Sequence, residues 1–356
     1  MQRDRRAALA ALSALWLAAC GGGSGGGSGG ASNVPAPPPP VAPVPPAAPA
    51  PGGVSYGNFS AAALGVGAAL NGALAFPASN AWNTDISAAP VAPNSDALIQ
   101  GIGLATGLHP DFGAGLYLGA PIGIPYVVVA GTQAKVPLVW TAYGDESDPG
   151  PYPVPINAPV EGGSNSTGDR HVLVIDRDNN LLYELGRAFV NGDGSWNANC
   201  GALFHLDSNA TRPAGWTSAD AAGLPVFAGL ARYEEAALGP GGIRHALRFT
   251  VQTSRRAYVP PASHWASSNT SVNLPPMGMR VRLKASFTIP AGFSAESRAL
   301  LTAMKTHGMI VADNGSNWYV SGAPDDRWNN DALTSELAQV HGRDFEVVRM
   351  DGLVAG

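Results

Sequence analysis

His171-Val172-Leu173-Val174-Ile175-Asp176-Arg177-Asp178-Asn179-Asn180-Leu181-Leu182-Tyr183-Glu184-Leu185 is the stretch on which the fold turns. Two runs rich in Val, Ile, Leu and Tyr flank a cluster of turn-forming residues, the pattern of an antiparallel β-hairpin. Side chains alternate across a strand, so the pairing register decides which of them share a face. If the numbers of facing residues sum to an odd value, His171, Leu173, Ile175 and Glu184 fall together on one face. Val172, Val174, Tyr183 and Leu185 then line the other, which can serve as core. A His and a Glu on adjacent strands suit proton transfer, the carboxylate orienting the imidazole or sharing a proton path with it. The same residues also make an ordinary polar pair on a solvent-facing sheet, or a satisfied buried histidine.

The surrounding chain reads the same way. Further strands are predicted over 124–129, 136–143, 246–252, 278–289, 309–312, 318–321 and 345–350, several of them rich in Val, Ile, Tyr and Phe and bounded by Gly, Pro, Asn or Asp. Helical patterns are few: 95–104, 217–223, 226–238 with its internal glycine, and 331–340. The best begins after Ser294, a suitable cap, and runs through Leu300, Leu301 and Met304 to a stop at Gly308. The predicted fold is therefore mainly β, a β-sandwich or jelly-roll-like core with a few peripheral helices, with mixed α+β layers as the alternative. Residues 145–168 form a long irregular stretch rich in Pro and Gly, and loops of that length in a compact domain are more often functional or separately packed than idle.

A second candidate pair is Glu234 or Glu235 with His245, where a helix end leads through a glycine-rich turn into the strand 246–252. His245 shares a face with Leu247, Phe249 and Val251 by alternation, at the rim of an apolar stripe. We expect Glu184 and Glu234 to be the acid/base carboxylates, with His171 and His245 as their proton-transfer or substrate-orienting partners. Were the two pairs to converge, they would support acid/base cleavage of a glycosidic bond or a mononuclear metal site. Asp148 with Tyr152, and Asp313 with Trp318, set an aromatic ring within a few residues of a carboxylate. Sugars are bound by such combinations, the ring stacking on the apolar face while the acid takes hydroxyls. Most other turn carboxylates, Asp111 and Glu161 among them, read as caps or solvated groups. Cys200 reads as a small buried residue. No cofactor is expected. The oxygen-rich turns 176–180 and 191–195 give calcium or another divalent metal only weak support, since neither continues as an EF-hand loop. Metalloprotease, phosphate-loop and serine-hydrolase motifs are missing from the domain.

The N-terminus places the protein. Arg3, Arg5 and Arg6 precede an apolar run from Ala7 to Leu17, too short at about eleven residues for a membrane-spanning helix, which takes roughly twenty. Leu17-Ala18-Ala19-Cys20 resembles the lipobox of bacterial lipoproteins, in which the cysteine becomes the lipidated first residue of the mature chain. The resemblance implies a signal peptide over 1–19, a lipidated Cys20 and, with Gly21 rather than Asp behind it, an outer-membrane address if the host has one. Residues 21–33 are almost wholly Gly and Ser, with a reach of about 20 Å. Val34 to Pro51 are dominated by Pro and Ala, extending to roughly 55 Å as polyproline II. This 20–53 linker carries no apolar periodicity, so it reads as a spacer ahead of one globular extracytoplasmic domain over 54–356.

Removing Arg3, Asp4, Arg5 and Arg6 with the signal takes the formal charge from -5 to about -7, which argues against nucleic acid as a partner. Cys200 is then the only thiol in the mature domain, which leaves no internal disulfide to expect there. Phe76-Pro77, Asn80-Ala81-Trp82-Asn83, His109-Pro110-Asp111-Phe112-Gly113, 217–225, 245–249 and Ala312-Asp313-Asn314-Gly315 together resemble a set of secreted bacterial proteins. That resemblance implies export and carries no catalytic residue across. The expected partners are the membrane, through the lipid on Cys20, and a polysaccharide or other glycan, met by a monomer. The expected activity is polysaccharide cleavage of the hydrolase or lyase type, with a non-catalytic glycan-binding or adhesion lipoprotein and a metal-dependent hydrolase as alternatives.

Overall fold

In the computed structural model, which describes residues 53–356, the turn after Ile175 is closed by Asp176. Its carboxylate accepts the Asn179 amide at 3.1 Å and the Asn179 side-chain amide at 2.8 Å. Asn180 takes a left-handed φ of 52°, a conformation Asn tolerates. The strands Val172–Asp176 and Leu181–Gly186 pair antiparallel, with Leu173 facing Glu184 and Ile175 facing Leu182. This is the odd-sum register, so the predicted sharing of faces holds. Residues 1–52, and with them the signal segment, Cys20 and nearly all of the linker, lie outside the described residues.

Cys200–His205 joins the hairpin on one side. On the other, Tyr126–Val129 pairs parallel with Val172–Asp176 and antiparallel with Gly65–Val66. The central strands Tyr126–Val129, Val172–Asp176 and Leu181–Gly186 are buried on both faces, which explains why they read as nearly continuous apolar runs. Leu173, Ile175, Leu182, Ala202 and Phe204 enter the larger core. Val127, Val129, Val172, Val174, Tyr183 and Leu185 enter a second core closed by Tyr152, Trp196 and Ala198. Trp196–Ala198 belongs to a three-stranded sheet with Phe189–Val190 and Leu138–Trp140. Each fully buried Val, Leu or Ile contributes about 1.5–3 kcal/mol relative to exposure.

The larger core is shared with a six-stranded sheet in the order Phe345–Val347, Arg280–Leu283, Met309–Asn314, Leu247–Val251, Tyr319–Ser321, His109–Asp111. Helix α1 (Ser95–Ile102) packs beside Phe345–Val347; the single turn α2 (Tyr233–Ala236) meets α3 (Ala295–Thr306). Helix α3 lies on Arg280–Leu283, and α4 (Asn330–Leu337) bridges α3 and His109–Asp111. The chain is thus mainly β, with several sheets and few helices, as its composition of runs predicts. Ser294 caps α3 by accepting the Ser297 amide, and Gly308 follows its end at φ 73°.

Two predicted helices are not formed. Residues 217–223 make turns, and 226–238 breaks into the 3-10 turn Phe227–Gly229 and α2. A side chain at Gly229 would collide with Arg248 and Trp82, so the chain there runs too close to the sheet for a continuous helix. The strand Cys200–His205 is one that the sequence did not announce, with Gly201 lying against the Trp140 ring. Among the described residues, no helix is long and apolar enough to cross a membrane.

Candidate functional site

The six-stranded sheet carries a polar face whose members are far apart in sequence. Register partners project to the same side of a sheet. His109 pairs with Tyr319 and Asp111 with Ser321. Tyr319 pairs with Thr250, and Thr250 with Asp313 beyond a bulge at Phe249/Thr250. Arg248, two residues before Thr250, lies on the same side and donates to Ser321 Oγ at 2.5 Å. His109, Asp111, Arg248, Asp313, Tyr319 and Ser321 therefore share one surface. Asp111 is exposed and Asp313, His109 and Tyr319 are half-buried, with the His109 and Tyr319 rings stacked at 4.1 Å.

Arg248 is the buried centre of this face. Its Nε and Nη2 clasp both oxygens of Asp220 at 3.2 and 2.9 Å, a bidentate pair sealed from solvent. Asp313 and Glu161 lie within electrostatic reach and, together with Asp220, raise the guanidinium pKa against the cost of burial.

His171, immediately before the strand Val172–Asp176, meets Glu161 from the preceding loop. His171 Nδ1 meets Glu161 Oε2 at 2.5 Å, and Nε2 faces the Ala219 carbonyl at 3.0 Å. Burial alone would lower the imidazole pKa, but the Glu161 charge and hydrogen bond overcome it and push it up to about 10. Burial would likewise raise Glu161, and the charge and hydrogen bonds of His171 hold it below the usual carboxylate range instead. Asp111 is shifted the other way, raised by desolvation and by the Glu161 charge. Two neighbouring carboxylates are thus driven apart, one toward the acid form and one toward the base.

The loop bearing Glu161 is held by Arg170, itself at φ 50°, whose guanidinium donates to the carbonyls of Gly163, Ser164, Ser166 and Ala188. The structure therefore pairs His171 with Glu161, not with Glu184. Glu184 lies on the same sheet face but wholly buried, its two oxygens accepting the Val226 and Phe227 amides at 2.9 Å each. Burial pushes it up to about 7 against those two hydrogen bonds. The expected acid/base carboxylate is thus enclosed beside the larger core and has no surface to offer a substrate.

Glu234 and His245 are not partners. Glu234 accepts the Leu70 amide at 3.0 Å, and desolvation together with the neighbouring Glu235 pushes it up to about 7. His245, buried, meets Glu235 Oε2 at 3.1 Å, Arg232 at 3.0 Å and the Ala246 carbonyl at 2.8 Å. The turn Phe227–Gly229 lies between the two expected pairs: Glu184 holds its leading amides, and Arg232 donates to the carbonyls of Phe227 and Leu230.

Of the expected sugar contacts, Asp313 lies on the polar face. Trp318 is fully buried, stacked on Phe249 and Phe345 with its Nε1 donating to the Gly103 carbonyl at 3.0 Å, so it presents no ring to a sugar. Tyr152 is also core, packed on Trp140 and Tyr183. Asp148 accepts from Arg212 at 2.6 Å and from the Leu203 amide at 2.8 Å, pinning its loop to the sheet edge. Cys200 is buried with Sγ against the Ser218 carbonyl, and His205 stands exposed at the other end of the same strand.

The turn oxygens of Asp176 and Asp193 accept hydrogen bonds within their own turns. Among the described residues no group of three or more His, Cys, Asp or Glu is placed to hold a metal ion. An open groove of about 500 Å³ along the Gly65–Val66 edge, lined by Val127, Ala130, Gln133 and Asn157, contains none of the polar-face residues. Asp111, Glu161 and Arg248 carry no local motif that marks them; only the strand alternation of Arg248 against Leu247 and Phe249 hinted at a second, polar side. Comparison with protein-family models, with curated proteins and with solved structures finds no match.

Proposed function

We propose that the protein is a lipid-anchored extracytoplasmic enzyme that cleaves a polysaccharide by carboxylate general acid/base chemistry, with Asp111 as acid and Glu161 as base or nucleophile. The observation that carries this reading is the opposed tuning of these two carboxylates, each of which keeps surface in solvent. In this scheme Asp111 protonates the departing glycosidic oxygen. Glu161 is kept ionised by the His171 imidazolium on Oε2; through Oε1, on the opposite side of the bond, it either takes the proton of the water that attacks the anomeric carbon or attacks that carbon itself to give an ester that water then hydrolyses. Asp313 takes sugar hydroxyls, and Arg248 fixes the face through Asp220 and Ser321 without meeting the substrate. The export signal, Cys20 and the linker support the location, because long glycans are met outside the cytoplasm.

The test is a reducing-end assay of the full chain against a polysaccharide panel. Cleavage by the wild type, reduced about 10²- to 10⁴-fold in Asp111→Asn and Glu161→Gln, is expected. Full activity in both variants would sink the assignment; binding with no turnover by any form would make the protein a glycan-binding module. Cys20→Ser is expected to move the chain from the membrane fraction to the soluble one, and retention there would sink the lipid anchor.

A further inference from the structure

Three successive apolar side chains stand in solvent just beyond the candidate acid: Leu116, Tyr117 and Leu118, at 68, 70 and 90 % exposure. They form the tip of a short hairpin in which Leu116 faces Pro121 and Tyr117 faces Ala120. Its two-residue turn puts Leu118 at φ 52° and Gly119 at φ 85°. A bulky residue in the left-handed region is unfavourable, and here it is also solvated. The base, in contrast, is firmly fixed. Gly113 donates to the Ile122 carbonyl and Ile124 to the Gly322 carbonyl, both at 3.0 Å, and Asn330 bonds both the amide and the carbonyl of Ala114.

The orientation of the tip follows from the register. Tyr117 and Ala120 are paired, so they share a face of the hairpin. Ala120 is buried, and a side-chain carbon built at Gly163 would lie 3.3 Å from its Cβ. The Tyr117 face is therefore the one turned onto the loop that carries Glu161, two residues from Gly163. The other root of the hairpin begins at Phe112, next to Asp111. An exposed tyrosine on a fixed stem thus faces the side of the loop that carries Glu161, on a hairpin whose first strand follows Asp111 in the chain.

We propose that Tyr117 is a substrate-binding residue, its ring stacking on a pyranose of the bound polysaccharide next to the bond being cleaved. This rests on the polysaccharide reading above and names a contact for it. A sugar fits the setting because its apolar ring face matches the phenol while its hydroxyls match the surrounding acids. A membrane surface fits less well: Asp111, Glu161, Asp325 and Asp326 surround the stem, and anionic headgroups repel such a cluster.

The experiment uses the full chain and native gels containing soluble β-glucan, xylan, mannan or pectin, with Asp111→Asn as a non-cleaving background. Retardation by a polysaccharide is expected to weaken about three- to tenfold with Tyr117→Ala and to persist with Tyr117→Phe, since stacking needs the ring and not the hydroxyl. In the cleaving chain Tyr117→Ala is expected to raise KM by the same factor, with near-UV circular dichroism unchanged. Unaltered binding and KM in Tyr117→Ala, alongside an inactive Asp111→Asn, would overturn this inference and leave the function standing. Wild-type binding without cleavage, lost in Tyr117→Ala, would keep Tyr117 as the contact and overturn the cleavage reading. A wild type that neither binds nor cleaves overturns both. Normal glycan binding with weakened attachment to phosphatidylcholine vesicles would make the tip a membrane contact and also overturn the inference.

Discussion

Glu161 and Glu184 are both acids beside the same histidine strand, and their surroundings give them different work. Glu161 is held ionised by His171 and keeps part of its surface in solvent. Glu184 has no exposed atom, and both of its oxygens are occupied by amides at the head of a 3-10 turn. Glu184→Gln turns an amide nitrogen toward one of those N–H groups and leaves it unsatisfied. The expected cost is about 1–3 kcal/mol in urea unfolding, with kcat changed less than roughly tenfold. A variant of normal stability that has lost turnover would return Glu184 to the chemistry. The pH profile separates the proposed pair. Glu161, lowered, must be ionised and sets the acidic limb; Asp111, raised, must be protonated and sets the alkaline limb. In Asp111→Asn the residual activity is expected to lose its alkaline fall, and an unchanged limb would remove Asp111 from the role of acid.

At the scale of elements, what the sequence made legible is what depends on neighbours in the chain. The hairpin register, the cap at Ser294 and the stop at Gly308 are local, set by alternation, turn chemistry and capping. The polar face is not local: Asp111, Arg248, Asp313 and Ser321 meet because four separated strands lie side by side, and each alone resembles a turn or surface residue. Burial is not local either: a polar His and Glu on one hairpin face fit a solvent-facing pair or a buried one equally, and it is the turn at Val226 and Phe227 that closes over Glu184. Residues 226–238 show helical patterning, yet their amides and carbonyls are drawn off to Glu184 and Arg232. Capping also ties elements together. Ser294 Oγ donates to Glu336 of α4 at 2.7 Å while accepting the Ser297 amide of α3 at 3.2 Å. Ser294→Ala removes both bonds, with an expected loss of about 1–2 kcal/mol in thermal or urea unfolding. No measurable loss would mean that the cap is replaced by water.

For the whole molecule, the buried ionic groups between the sheets predict how stability depends on pH. His171 is raised from 6.5 to about 10 in the fold. Its contribution is therefore complete below pH 6.5 and disappears as pH rises through about 10. Glu161 is lowered, so its contribution is present above its unfolded value of 4.5 and is lost as pH falls. The two describe one ion pair seen from its two ends, and they are not added. Glu184, raised to about 7, works against the acidic loss: its contribution is present below 4.5 and is lost as pH rises toward 7. The Arg248–Asp220 pair ties the six-stranded sheet to the buried 217–223 turns, and breaking it through Asp220→Ala strands a buried guanidinium at a cost of about 3–5 kcal/mol. The wild-type unfolding midpoint is thus expected to fall between pH 7 and pH 10. His171→Gln, which cannot lose a proton in that range, is expected to start lower and stay nearly flat across it. Parallel curves for the two proteins would show that the His171–Glu161 pair does not titrate with folding, and that some other group carries the alkaline loss.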